Sequence, residues 1–214
     1  MTHPALPAAW PTRLPLIAIL RGIRPDEALA HGQALIDAGF DCIEVPANSP
    51  AWAASVAALA QAFGKQARIG AGTILDAAQL GALVAAGGTL MVTPNTDPPL
   101  IRAAVAQGLY TAIGFATATE AFAALQAGAQ ALKLFPAGAL GTGYVSALRS
   151  VLPPAVPLLA VGGVRPDTLG GFLQAGCHGA GLGGELYRPG QAPETTAANA
   201  QAFIAAWAAA TAPR

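Results

Sequence analysis

Residues 14–39 read LPLIAILRGIRPDEALAHGQALIDAG and hold one complete unit of the fold. The unit opens on an almost continuous apolar run, Leu16–Leu20, as expected of a parallel strand buried on both faces. After the turn Arg21-Gly22-Ile23-Arg24, Pro25-Asp26-Glu27 opens a helix. Proline is tolerated at the first helical position, and acidic side chains suit the positive end of the helix dipole. Ala38-Gly39 ends the helix, with glycine where the chain must turn left-handed.

The same order recurs along the chain. Further apolar runs are Cys42–Val45, Arg68–Ala71, Leu90–Thr93, Tyr110–Ile113, Ala131–Phe135, Pro157–Val161 and Gly179–Leu182, which makes eight in all. Helix starts are predicted at Ser49-Pro50, Asp76, Asp97-Pro98, Thr117 or Thr119, and Pro166-Asp167. Ala86-Gly87, Gln107-Gly108, Ala127-Gly128 and Ala175-Gly176 repeat the glycine stop. Dividing 214 residues by eight gives about 27 per strand–helix unit. That suits an α/β chain forming a single-domain, compact (β/α)8 TIM barrel, a fold of about 250 residues with 200 at its lower end. The alternative is an open doubly wound sheet, which would usually carry a G-x-G-x-x-G first turn that residues 21–25 lack. No linker or low-complexity break interrupts the chain. One domain over residues 1–214 is expected, with 1–13 as an N-terminal extension.

Composition narrows the function. Hydrophobic residues make up 54% and charged residues 10%, against about 25% charged in an ordinary soluble domain. Eleven basic residues balance eleven acidic ones, which argues against nucleic acid as a partner and against a charged tail. The apolar content excludes disorder. Thr195 to Pro213 is uncharged and Ala-rich, but Thr195, Thr196, Asn199 and Gln201 interrupt it, and Phe203, Ile204 and Trp207 form one stripe. A packed amphipathic helix is expected there, and no membrane span. Pro4, Pro7 and Pro11 argue against a signal peptide, so a cytoplasmic protein is expected, with Cys42 and Cys177 as buried free thiols.

In such a barrel the chemistry sits at the C-terminal strand ends. Of the chain's two lysines, Lys65 lies in a polar turn and Lys133 in the apolar strand Ala131–Phe135. Strand alternation turns Leu132 and Leu134 toward the helices and Ala131, Lys133 and Phe135 inward. A buried ammonium is costly. Burial lowers a lysine pKa and exposes the free amine that a Schiff-base nucleophile needs; arginine stays protonated. Lys133 reads equally well as that nucleophile or as the buried partner of Glu44. Glu44 shares an inward face with Cys42 and suits either counter-ion or proton shuttle. Val161-Gly162-Gly163 and Gly181-Leu182-Gly183-Gly184 end the seventh and eighth runs, where barrels often bind phosphate; tight turns are the other reading. Gly70-Ala71-Gly72-Thr73 either meets a carboxylate or closes a turn. Arg21 recognises an anion or is an exposed loop residue, and Asn48 contacts substrate or caps a helix. His3, His31 and His178 lack metal-ligand spacing.

The segments Leu14–Ile23, Ile43-Glu44-Val45-Pro46, Gly70–Thr73, Val92-Thr93-Pro94-Asn95, Ala131–Pro136 and Ala160–Val164 together resemble the class I 2-keto-3-deoxy-6-phosphogluconate/6-phosphogalactonate aldolases. The resemblance runs from about Leu14 to the last helix. It is stronger to the phosphogalactonate branch: Asn48 stands where the gluconate enzymes carry arginine, and Val161 where they carry threonine. It implies cleavage of a phosphorylated keto-deoxy sugar acid, 2-dehydro-3-deoxy-6-phosphogalactonate, to pyruvate and glyceraldehyde 3-phosphate. Lys133 would be the Schiff-base lysine and Glu44 the proton donor and acceptor. Arg21 and Thr73 would contact substrate, Gly163, Gly183 and Gly184 the phosphate, and Asn48 and Val161 would set specificity. Pro94, Phe135 and Gly162, at the same strand ends, count with them as substrate contacts. A homotrimer is implied, with no cofactor and no metal, since the imine serves as electron sink. Gly184 departs from the serine common in the family, which removes a hydroxyl from the phosphate end. Rival readings are the 2-dehydro-3-deoxy-6-phosphogluconate or 4-hydroxy-2-oxoglutarate aldolase, a phosphate-binding barrel isomerase or epimerase, and a non-catalytic sugar-phosphate binder.

Overall fold

A computed structural model describes residues 9–212. Strands and helices alternate as β1 (Leu16–Ile19), α1 (Pro25–Ala38), β2 (Cys42–Pro46), α2 (Trp52–Phe63), β3 (Arg68–Gly72), α3 (Ala77–Ala85), β4 (Leu90–Val92) and α4 (Pro98–Ala106). They continue as β5 (Tyr110–Phe115), α5 (Ala118–Gln126), β6 (Ala131–Leu134), α6 (Ala137–Arg149), β7 (Leu158–Val161), α7 (Pro166–Gln174), β8 (Gly179–Leu182) and α8 (Pro193–Thr211). Each strand pairs in parallel with the next, and β8 pairs back onto β1 through Ile17 and Gly181. That last pairing closes the (β/α)8 barrel and excludes the open sheet.

Strand alternation divides the apolar residues into two cores. Ile17, Ile19, Cys42, Leu90, Val92, Tyr110, Ala112, Ala131, Leu159 and Val161 fill the barrel. Leu16, Ile43, Val45, Leu132 and Leu134 join the larger layer between sheet and helices. Residues 1–8 of the expected extension lie outside the described residues. Trp10 packs on the inner core, its ring edge-on to Tyr110 at 5.6 Å between centroids. Asp41 fixes the segment by accepting the Arg13 and Leu14 N–H groups at 2.9 and 3.4 Å. Trp10 thus covers part of the N-terminal end of the inner core.

Helix punctuation follows the sequence at most positions. Asp76 and Asp97 accept the Gln79 and Leu100 N–H groups at 2.8 and 3.1 Å, and Thr117, rather than Thr119, forms a capping box with Glu120. Gly39, Gly87, Gly108, Gly128 and Gly176 all take positive φ, between 76 and 112°. In α8, Phe203 is fully buried, with Ile204 and Trp207 half-buried beside it. No described helix is long and apolar enough to cross a membrane.

Two expectations fail. Ser49-Pro50 does not open α2, which begins at Trp52 with Ala51 left-handed at φ 43°. The Ser49 hydroxyl instead accepts the Gly22 N–H at 2.9 Å, so a tertiary bond takes the oxygen that a cap would use. The sixth strand also ends one residue short of the expected run, at Leu134, with Phe135 beyond it lining the cleft beside Lys133. Pro136 offers no N–H to continue the ladder, and Phe135 stands at the rim, 40% exposed. The start of α6 carries no sequence signal, and its interior is broken at Gly141 (φ 79°, ψ 169°).

Candidate active site

The strand C-termini surround a cleft of about 310 Å³. Its wall includes Arg21, Thr73, Pro94, Lys133, Phe135, Val161, Gly162, Gly163, Gly183 and Gly184. Ten predicted residues from six strand ends thus meet in one place. The other two stand just behind it. Glu44 is buried beneath the floor, 1% exposed, and Asn48 accepts an Arg21 guanidinium N–H at 2.6 Å. Asn48 therefore does not cap α2; it bonds Arg21 at the edge of the cleft.

Lys133 points inward from the middle of β6, opposite Gly114 on one side and Leu159 on the other. A Cβ at Gly114 would overlap the backbone of Thr93 and Pro94, so glycine lets the β4 end close over the lysine's neighbour strand. Thr93 fixes that turn, its hydroxyl accepting the Gly114 N–H at 3.0 Å and donating to the Asn95 carbonyl at 2.6 Å. Burial holds the Lys133 pKa below its ordinary value, with Glu44 opposing the shift and Arg21 adding to it. The Nζ lies 5.3 Å from the Phe135 ring centroid.

Glu44 shows the reverse balance. Burial pushes its carboxyl up to about 7, against the pull of Lys133, Arg21 and the Gly72 N–H. A Cβ at Gly72 would occupy the space of the Glu44 carboxyl group, so this glycine makes the room that the buried acid fills. Oε2 of Glu44 has no hydrogen-bond partner in the protein, and Glu44 and Lys133 make no direct ion pair. A simple buried charge pair would close both gaps. An acid near neutrality with an unengaged oxygen, coupled to a lysine with a lowered pKa, is chemically able to give or take a proton.

Thr73 has φ 56°, a conformation that is an outlier for a β-branched residue and that concentrates at functional sites. On the opposite wall, Gly162 and Gly163 have φ 91 and 74°, and no atom lies within 4 Å of a Cβ built at Gly183 or Gly184. Backbone itself forms that wall. Ile19, Val164, Gly181 and Glu185 also line the cleft and were not among the predicted residues. Ile19 was legible from alternation with Ile17, and Glu185 from its place directly after the glycine pair. The two described histidines do not line the cleft: His31 bonds Thr196 at 2.8 Å and His178 bonds Arg149 at 2.7 Å; His3 lies outside the described residues.

The family model "KDPG and KHG aldolase" matches residues 10–198. The chain belongs to this aldolase family. It is 56% identical over 198 residues to the 2-dehydro-3-deoxy-6-phosphogalactonate aldolase of Escherichia coli (strain K12), covering 92% of this chain and 97% of that one. A solved structure described as native KDPGal superposes with a TM-score of 0.94 at 55% identity, covering 95% of this chain and 98% of the other. A designed cube-shaped cage, built by fusing symmetric oligomeric domains, contains a 56% identical stretch that matches 93% of this chain and 74% of the cage chain, with a TM-score of 0.92. The aldolase fold and enzyme class expected from the sequence are those of these relatives.

Proposed function

We propose that this aldolase cleaves 2-dehydro-3-deoxy-6-phosphogalactonate to pyruvate and glyceraldehyde 3-phosphate through an imine on Lys133. The observation that carries the reading is a single inward lysine, its pKa lowered by burial, on the cleft floor beside a glutamic acid titrating near 7. Lys133 Nζ adds as the free amine to the C2 ketone. Glu44, directly or through a water, protonates the departing hydroxyl, and loss of water leaves the iminium. The Glu44 carboxylate then takes the C4 hydroxyl proton. The C3–C4 electron pair moves toward the iminium nitrogen, forming the enamine, and C4 leaves as the aldehyde of glyceraldehyde 3-phosphate. Protonation at C3 and hydrolysis release pyruvate and regenerate the amine.

Arg21, aimed by Asn48, takes the substrate carboxylate together with the Thr73 turn, and Pro94 and Phe135 close the apolar sides. Gly162, Gly163, Gly183 and Gly184 take the phosphate through backbone N–H groups, which glycine lets approach closely. Val161, with no hydroxyl to offer the C4 oxygen, favours the galacto epimer. The identity to the Escherichia coli phosphogalactonate enzyme supports this choice. Residues 1–214 act as one domain with 1–13 as its extension. The protein works in the cytoplasm as a homotrimer, consistent with its two buried free thiols and with the use of a relative as a symmetric oligomeric domain. Parallel assays on the two C4 epimers, followed by pyruvate release, test the substrate. We expect kcat/KM to favour the galacto compound by roughly tenfold or more; equal rates or a gluco preference would contradict the assignment.

A further inference from the structure

The loop joining β8 to α8 carries Gly183 and Gly184, and it is tied down by side chains that never reach the cleft. The Gly183 carbonyl accepts the Leu186 and Tyr187 N–H groups at 2.8 and 2.9 Å, and the Gly184 carbonyl accepts Arg188 Nε at 2.8 Å. Residues 186–188 are in turn held by Gln191. Its Oε1 accepts the Arg188 N–H at 3.0 Å, and its Nε2 donates to the Leu186 carbonyl at 3.0 Å and to Thr196 Oγ1 at 2.7 Å. Asn199 adds a second donor to the Leu186 carbonyl at 3.1 Å. The fully buried Thr196 hydroxyl, having accepted from Gln191, meets His31 Nδ1 of α1 at 2.8 Å, and Tyr187 stacks edge-on against the His31 ring at 4.9 Å. Both N–H donors and the carbonyl oxygen of the Gln191 amide are engaged, and its orientation is fixed by a backbone donor on one side and a backbone acceptor on the other.

We propose that Gln191 is a positioning residue that sets the Gly183–Gly184 backbone against the phosphate end of the substrate, separately from the imine chemistry at Lys133. The inference rests on the reading that these glycines hold the phosphate. A hydrogen-bond relay anchored on α1 and α8 gives a loop with no side chains of its own at 183 and 184 a single geometry.

The test is Gln191→Met, which keeps volume and removes every amide bond, compared with wild type on 2-dehydro-3-deoxy-6-phosphogalactonate and on its unphosphorylated counterpart. Borohydride trapping with pyruvate is measured in parallel. Expected is a rise of about tenfold in KM for the phosphorylated substrate, with kcat, trapping and turnover of the unphosphorylated compound unchanged. Asn199→Ala, which removes one donor to Leu186, should shift KM the same way by a smaller factor, and it carries the test if Gln191→Met does not fold. An equal loss on both substrates, or no change on either, would overturn the positioning role. A wild-type enzyme with no preference for the phosphorylated compound would overturn the phosphate reading beneath it, and the proposal with it.

Discussion

Burial acts in opposite senses on the two ionisable groups under the cleft. Glu44 titrates near 7 in the fold against an ordinary 4.5, so in that window the native state keeps a proton that the unfolded chain has released. Stability therefore falls as pH rises from about 4.5 to 7. Lys133, held below its ordinary 10.5, contributes the opposite slope as pH climbs toward that value. Glu44→Gln removes the first effect: its melting temperature should gain on wild type between pH 4.5 and pH 8, measured by thermal unfolding, while its turnover falls by about 100-fold or more. A melting difference independent of pH would mean that Glu44 is not held near neutrality. The inward burial of Lys133 and Glu44 was legible because each is an ionisable side chain in an apolar strand, on the face that alternation turns inward. Gly72 as the seat of the Glu44 carboxyl and the left-handed Thr73 were not, because both depend on what another strand brings close.

At the scale of elements, caps and stops were legible where the bond is local. Thr117 meets Glu120 three residues on, and the five glycine stops need only their own φ. Ser49 was misread because its partner, Gly22, lies 27 residues away; residue type fixes what a hydroxyl can accept, and tertiary contact decides from whom. The two positions should therefore respond differently to alanine. Thr117→Ala should cost about 1 kcal/mol in urea unfolding and leave KM unchanged. Ser49→Ala releases the loop that carries Arg21, and should raise KM several-fold with a smaller effect on α2 than a lost cap would give. Identical behaviour of the two variants in steady-state assays and unfolding would contradict this division.

For the whole molecule, the eightfold repeat of strand, turn, helix and glycine pointed to a parallel sheet covered on both faces, and the unit count with the missing G-x-G-x-x-G turn favoured the barrel that the β8–β1 pairing closes. What the repeat could not supply was the cover that Trp10 lays over the other end of the inner core, held by its contact with Tyr110 and by the Asp41 hydrogen bonds to the segment after it. The backbone wall at Gly183 and Gly184 is the other global feature with a consequence. With open space where a Cβ would project and no positive φ at residue 184, Gly184→Ser should fit without loss of melting temperature. Its new hydroxyl should lower KM for the phosphorylated substrate by a few-fold; an unchanged or higher KM would place the phosphate elsewhere. The most direct test of the mechanism is the intact mass of the protein after borohydride reduction in the presence of pyruvate, followed by peptide mapping. One reduced pyruvate adduct per chain, on the peptide containing Lys133 and absent from Lys133→Met, is the predicted result. An unmodified protein with pyruvate demonstrably bound, or an adduct on Lys65, would contradict imine catalysis at Lys133.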